Sequence, residues 1–117
     1  MTTSVNQNLA ERLQITEREW ILVADILAGL LPNRAVWAFG SRATGLRVKR
    51  FSDLDLAVAG RLTSADRAAL SEAFDDALID FKVDLVEVDM LDPDFRQRIE
   101  RDFLSLQGAS IIEGRTA

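Results

Sequence analysis

Residues 35–60 read AVWAFGSRATGLRVKRFSDLDLAVAG. The apolar run Ala35–Phe39 is too short for a typical helix and stops at Gly40, which predicts a buried strand. The chain then turns at Gly40-Ser41, and Ser41 to Thr44 predicts one helical turn closed by Gly45. A second strand is expected over Ser52–Ala59. Residues two apart on a strand share a face. Asp53 and Asp55 therefore stand side by side, while Leu54, Leu56 and Val58 turn into a core.

Two carboxylates on one face repel, and without a cation one of them should be harder to ionise. Mg²⁺ removes the conflict, because it is a hard ion that takes carboxylate oxygens and usually substrate phosphates as well. Gly40-Ser41 supplies a cradle for such phosphates. It offers a glycine that admits a close backbone approach, a hydroxyl, and the free N–H groups that open a helical turn. Arg42 adds a charged fork suited to phosphate.

Working outward, Thr16 and Glu19 form a capping box that opens a helix running to about Leu31, stopped by Pro32. Trp20, Val23, Ala24, Leu27, Leu30 and Leu31 make its apolar stripe, and Ile21, Leu22 and Ile26 widen it. A well-buried helix accounts for that width, and a partner surface is the other reading. Residues 1–14 are expected to be poorly ordered or adaptable. Arg47, Lys49 and Arg50, in the loop before Asp53, either flank the phosphates or are simply solvated.

Beyond the second strand, Thr63 or Ser64 caps a helix through about Leu78, with Leu70, Ala73, Phe74, Ala77 and Leu78 facing inward. Asp66, Asp75, Asp76 and Asp80 read as a solvated face. A third strand is expected over Phe81–Val88, with Val83, Leu85 and Glu87 on one side and Asp84, Val86 and Val88 on the other. The strand–helix–strand order predicts a right-handed crossover. An Asp among valines is costly to bury unpaired, so Asp84 calls for a metal or for a salt bridge to Arg42 or Lys82. Asp92-Pro93 opens a last helix carrying Phe95, Ile99, Phe103 and Leu106 inward and ending at Gly108. Ile111-Ile112 suggests a short edge strand.

The composition narrows the chemistry. At 117 residues the chain is expected to be one domain, and 48% hydrophobic with 28% charged residues is ordinary for a globular protein. Cys and His are both absent. That excludes disulfides, thiolate or imidazole zinc sites, Cys nucleophiles and His-based triads. A net charge of −5 disfavours nucleic acid as a partner. No signal-peptide pattern or membrane-length apolar run is seen, so a cytoplasmic location is expected.

Gly40-Ser41-Arg42-Ala43-Thr44-Gly45 followed by Ser52-Asp53-Leu54-Asp55-Leu56 resembles the minimal nucleotidyltransferase group of the polymerase β-like superfamily. The resemblance implies an α/β fold, a small mixed sheet with helices packed on one face and the active site at the other. It implies that Asp84 is the third metal carboxylate, joining Asp53 and Asp55 as catalytic and metal-binding residues. Gly40, Ser41 and Arg42 would bind the triphosphate of ATP. Many members of the group are antitoxins that pair with HEPN-type toxins, which implies transfer of AMP to a hydroxyl, tyrosine by expectation, on a helical partner. A non-catalytic antitoxin that masks its partner is the alternative, and a homo-oligomer is left open.

Overall fold

The computed structural model describes residues 5–108 of the chain. The elements follow in the order α1 (Val5–Leu13), α2 (Glu17–Leu30), β1 (Val36–Phe39), α3 (Ser41–Thr44), β2 (Leu54–Val58), α4 (Ser64–Asp76), β3 (Val83–Glu87), a 3₁₀ turn (Val88–Met90), α5 (Pro93–Glu100) and β4 (Leu104–Gln107). The sheet runs β3-β2-β1-β4. β1 is antiparallel to both β2 and β4, and β2 is parallel to β3 through the α4 crossover.

Local chemistry sets the helix starts. Thr16 Oγ1 accepts from Glu19 N at 3.0 Å, and Glu19 Oε1 accepts from Thr16 N at 3.0 Å. Thr63 and Asp66 make the same reciprocal pair at the start of α4. Each such cap is worth about 1 kcal/mol. Asp92 caps α5, with Pro93 in its first turn.

The core lies between one sheet face and α1, α2 and α4. Leu54, Leu56 and Val58 of β2 and Val36 and Ala38 of β1 turn into it, together with Leu13, Val23, Leu27 and Leu70. These side chains are fully buried, so truncating one such Leu to Ala costs about 2–5 kcal/mol.

Three expectations are corrected. First, residues 5–13 form α1, with Ala10 and Leu13 buried and Asn6 Oδ1 accepting from Trp20 Nε1 at 2.8 Å. α1 packs on α2, and this is why the α2 stripe is so wide: it serves a helix as well as the sheet. Second, Leu78 is exposed, because α4 ends at Asp76 and Ala77 is already extended. Third, the last helix stops at Glu100, and residues 104–107 are a strand. The apolar residues at 103, 104 and 106 fit helical and strand spacing alike, and pairing with the open edge of β1 decides for the strand. Gln107 Nε2 then donates to Leu31 O and Arg34 O, tying β4 to the end of α2.

The second sheet face carries an apolar cluster as well as the carboxylates. Ile99 and Phe103 pack there on Trp37, Phe39, Ala57, Val86 and Val88. Trp37 and Phe103 stack at 5.1 Å, and Phe39 meets Phe95 edge-on at 6.5 Å. The carboxylates occupy the remaining end of that face. Residues 111 and 112 lie outside the described residues.

Candidate active site

The start of β2, the start of β3 and the Gly40-Ser41 turn converge at the C-terminal end of β1. Phe39 is the register partner of Asp55, and Asp55 is the register partner of Asp84. The two aspartates thus stand on adjacent strands with their side chains on the same face. Asp53 enters just before β2. One carboxylate oxygen from each of Asp53, Asp55 and Asp84 lies within 4.8 Å of the others. Among the described residues, none of the three takes part in an ion pair. The Asp55 carboxyl is pushed up from the ordinary aspartate range, first by its burial, then by the charges of Asp84 and Asp53.

That arrangement fits a hard divalent cation. Its donors are all carboxylate oxygens, they converge, and their mutual repulsion is the unfavourable term a cation would relieve. The salt-bridge reading of Asp84 has no support, since neither Arg42 nor Lys82 pairs with it.

Gly40 and Ser41 adjoin the cluster. Gly40 holds φ +77°, ψ −159°, a conformation that is essentially glycine's alone. A Cβ there would lie 2.6 Å from Asp55 Oδ2. Ser41 is the first residue of α3, whose opening N–H groups have no intrahelical partner. Gly45, in the left-handed region, closes the turn by donating to Ser41 O at 2.8 Å.

Arg42 does something other than expected. Its side chain is buried, and its guanidinium is committed to five carbonyls. Nε donates to Ser52 O at 2.9 Å, and Nη1 donates to Leu13 O and Gln14 O at 3.0 Å each. Nη2 donates to Arg50 O at 2.9 Å and Lys49 O at 3.3 Å. Phe81 covers the group at 4.9 Å. With every N–H taken, Arg42 has none left for a phosphate. It instead fastens the end of α1 to the loop that delivers Asp53. Burial lowers its basicity, and the charges of Glu19 and Asp53 oppose that effect. The neighbouring loop cations are exposed, and Arg50 sits 3.5 Å from Asp80.

Two features were not legible beforehand. The Gly40–Asp55 approach depends on the β1–β2 register, which no local pattern encodes. A groove of about 360 Å³ beside β3 and α4, reaching Asp84, depends on which strand lies outermost.

Residues 23–106 match the polymerase β nucleotidyltransferase domain. The chain belongs to that family. This nucleotidyltransferase is 38% identical over 98 residues to a Haemophilus influenzae protein named probable protein adenylyltransferase MntA, a match spanning 82% of this chain and 85% of the other. It resembles a solved toxin–antitoxin structure with AMP-PNP at a TM-score of 0.61 and 26% identity, covering 75% of this chain and 72% of that one. A mutant MntA–HpeT toxin–antitoxin structure shares the fold at a TM-score of 0.57 and 24% identity, over 74% of this chain and 70% of that one. No helix among the described residues of this nucleotidyltransferase is long and apolar enough to cross a membrane.

Proposed function

We propose that this nucleotidyltransferase moves AMP from ATP onto a hydroxyl of a HEPN-type helical toxin, and so serves as the antitoxin of the pair. The observation that carries the reading is the convergence of Asp53, Asp55 and Asp84 within 4.8 Å beside the Gly40-Ser41 turn. The relative named as a protein adenylyltransferase and the solved toxin–antitoxin neighbour with AMP-PNP support the same direction.

In this reading Gly40 lets the backbone approach the triphosphate, and the Ser41 hydroxyl and the first N–H groups of α3 bind its oxygens. Mg²⁺ held by Asp53, Asp55 and Asp84 would neutralise charge on the transferring and leaving phosphates. Asp84, on the outermost strand, orients the acceptor hydroxyl and takes its proton. The acceptor oxygen bonds to the α-phosphorus, the bond from that phosphorus to the bridging oxygen breaks, and pyrophosphate leaves. Arg42 holds Asp53 in place from behind.

Intact-mass measurement tests this. The protein encoded beside this chain, incubated with it, Mg²⁺ and ATP, gains one or more AMP units, and Asp53→Asn abolishes the gain. An unchanged mass, together with full neutralisation of the partner by Asp53→Asn, rejects transfer and leaves an antitoxin that works by masking.

A further inference from the structure

We propose that the open edge of β3 receives an extended segment of the acceptor protein as a fifth strand, with the hydroxyl-bearing residue opposite Asp84. This rests on the transferase reading above and deepens it by naming how the protein substrate is held.

Among the described residues, β3 is the last strand on its side of the sheet. Its burial stops one strand short. Leu54, Leu56 and Ala57 of β2 are 0% exposed, yet their register partners Val83, Leu85 and Val86 all keep partial exposure. Beside that edge runs the groove of about 360 Å³, with Phe74, Phe81, Val83 and Leu85 among its lining, Lys82 and Asp75 contributing charges of opposite sign, and Arg67 paired with Glu87. Apolar strand residues that a neighbour would finish burying mark an edge adapted to be covered.

The backbone is also poised. Leu54 N donates to Lys82 O at 2.8 Å. Alternation along a strand then turns the N–H and C=O groups of Lys82, Asp84 and Val86 toward β2, and those of Val83 and Leu85 toward the open side. Such a row of donors and acceptors is matched by a polypeptide added as a strand. The net charge of −5 disfavours a polyanion in that place.

Register then assigns the acceptor. Phe39, Asp55 and Asp84 form one row across the sheet. The next residue of that row, on an added strand, would project from the same face. In an antiparallel addition it forms a non-hydrogen-bonded pair with Asp84, with Cα atoms about 4.5 Å apart and side chains at their closest. Its hydroxyl reaches the carboxylates from the side away from Gly40-Ser41, as an attacking group must if the triphosphate lies on that turn. Its neighbours in the segment point the other way, toward the groove, and should be apolar. Exposed Lys82 favours an acidic residue nearby.

Amide hydrogen exchange on the wild-type chain, alone and with the AMP-accepting neighbour protein of the mass assay, tests the proposal. Exchange at Val83 and Leu85 should slow by about tenfold or more in the complex. Leu85→Pro, which removes an outward N–H while sparing the β2 ladder, should raise KM for the protein acceptor and preserve the MgATP-induced rise in Tm. Because Leu85 also packs on the core, Lys82→Gln serves as a surface variant that adds no carboxylate beside Asp84, with KM for the acceptor raised up to about fivefold and kcat retained. AMP transfer with no change in exchange overturns the strand addition and leaves the transferase reading standing. Protection already complete in the free chain shows that the edge is covered without the acceptor and also overturns the proposal. Absence of any transfer by the wild type overturns both readings.

Discussion

Gly40 and Asp55 approach so closely that no side chain fits between them: a Cβ on Gly40 would lie 2.6 Å from Asp55 Oδ2. The same glycine holds φ +77°. Two independent constraints therefore meet at one position, a backbone conformation and a carboxylate pressed against it. Gly40→Ala should cost about 1–3 kcal/mol from backbone strain, and the displaced carboxylate should also weaken the response to Mg²⁺ and ATP. Thermal melts with and without Mg²⁺-ATP check both. A variant with wild-type Tm and wild-type ligand shift would show that the turn tolerates a methyl group and that Asp55 is not held by it.

The Asp55 carboxyl sits partly buried and faces two like charges, so its ionised form is unfavourable in the fold. An aspartate whose folded pKa is raised loses stability as pH rises from its unfolded value through its folded one, and the loss persists above. At neutral pH in EDTA, Asp55→Asn should thus raise Tm above wild type. Adding Mg²⁺ should reverse the order, because binding to the folded state stabilises only the chain that keeps the site. A lower Tm for Asp55→Asn in EDTA would show that the carboxylates are not in conflict.

Arg42 gives a prediction of the opposite kind. Its five donated bonds leave Leu13 O, Gln14 O, Lys49 O, Arg50 O and Ser52 O dependent on one side chain. Arg42→Ala should destabilise by about 3 kcal/mol or more, the scale of losing several charged hydrogen bonds in a buried place. Arg42→Lys should recover only part, since an ammonium cannot span the same fork of carbonyls. Urea denaturation of the three proteins measures this. Full rescue by Lys would show that charge alone, not the fork geometry, is what the site requires.

Much of this was legible from short-range signals. Capping residues, the Gly-bounded strand before Gly40 and the two-residue spacing of Asp53 and Asp55 are local, and local chemistry fixes them. Asp84 stood out as an acidic residue among valines, but that pattern left a metal and a salt bridge both open, and only the family resemblance favoured the metal. What escaped was set by partners distant in sequence. Arg42 looks like a phosphate ligand until the carbonyls of Leu13 and Gln14 are seen behind it, and α1 itself gains its reason to exist from α2. Residues 103–106 carry a pattern compatible with two periods, and only the free edge of β1 decides between them. The aromatic cover of Trp37 and Phe39 by Phe103 followed from that same strand.

Glu87, at the end of β3, supplies a pH-dependent test of the scaffold away from the carboxylate cluster. Glu87 Oε2 accepts from Leu62 N at 2.6 Å, and Oε1 accepts from Arg67 Nη2 at 3.0 Å, with Arg61 Nε at 3.5 Å. The Leu62 bond first, then the Arg67 bond, hold its carboxyl below the usual glutamate range, with burial opposing. A depressed folded pKa means the stabilisation is fully present above the unfolded value, about 4.3, and is lost as pH falls through the folded one. Glu87→Gln keeps an oxygen for Leu62 N but removes the charge. It should therefore lower Tm at pH 7, and the gap to wild type should close as the pH is taken below about 4. Melting curves for the two proteins across that range measure it. A gap that stays constant with pH would show that shape and hydrogen bonding, not the charge of Glu87, tie the start of α4 to the end of β3.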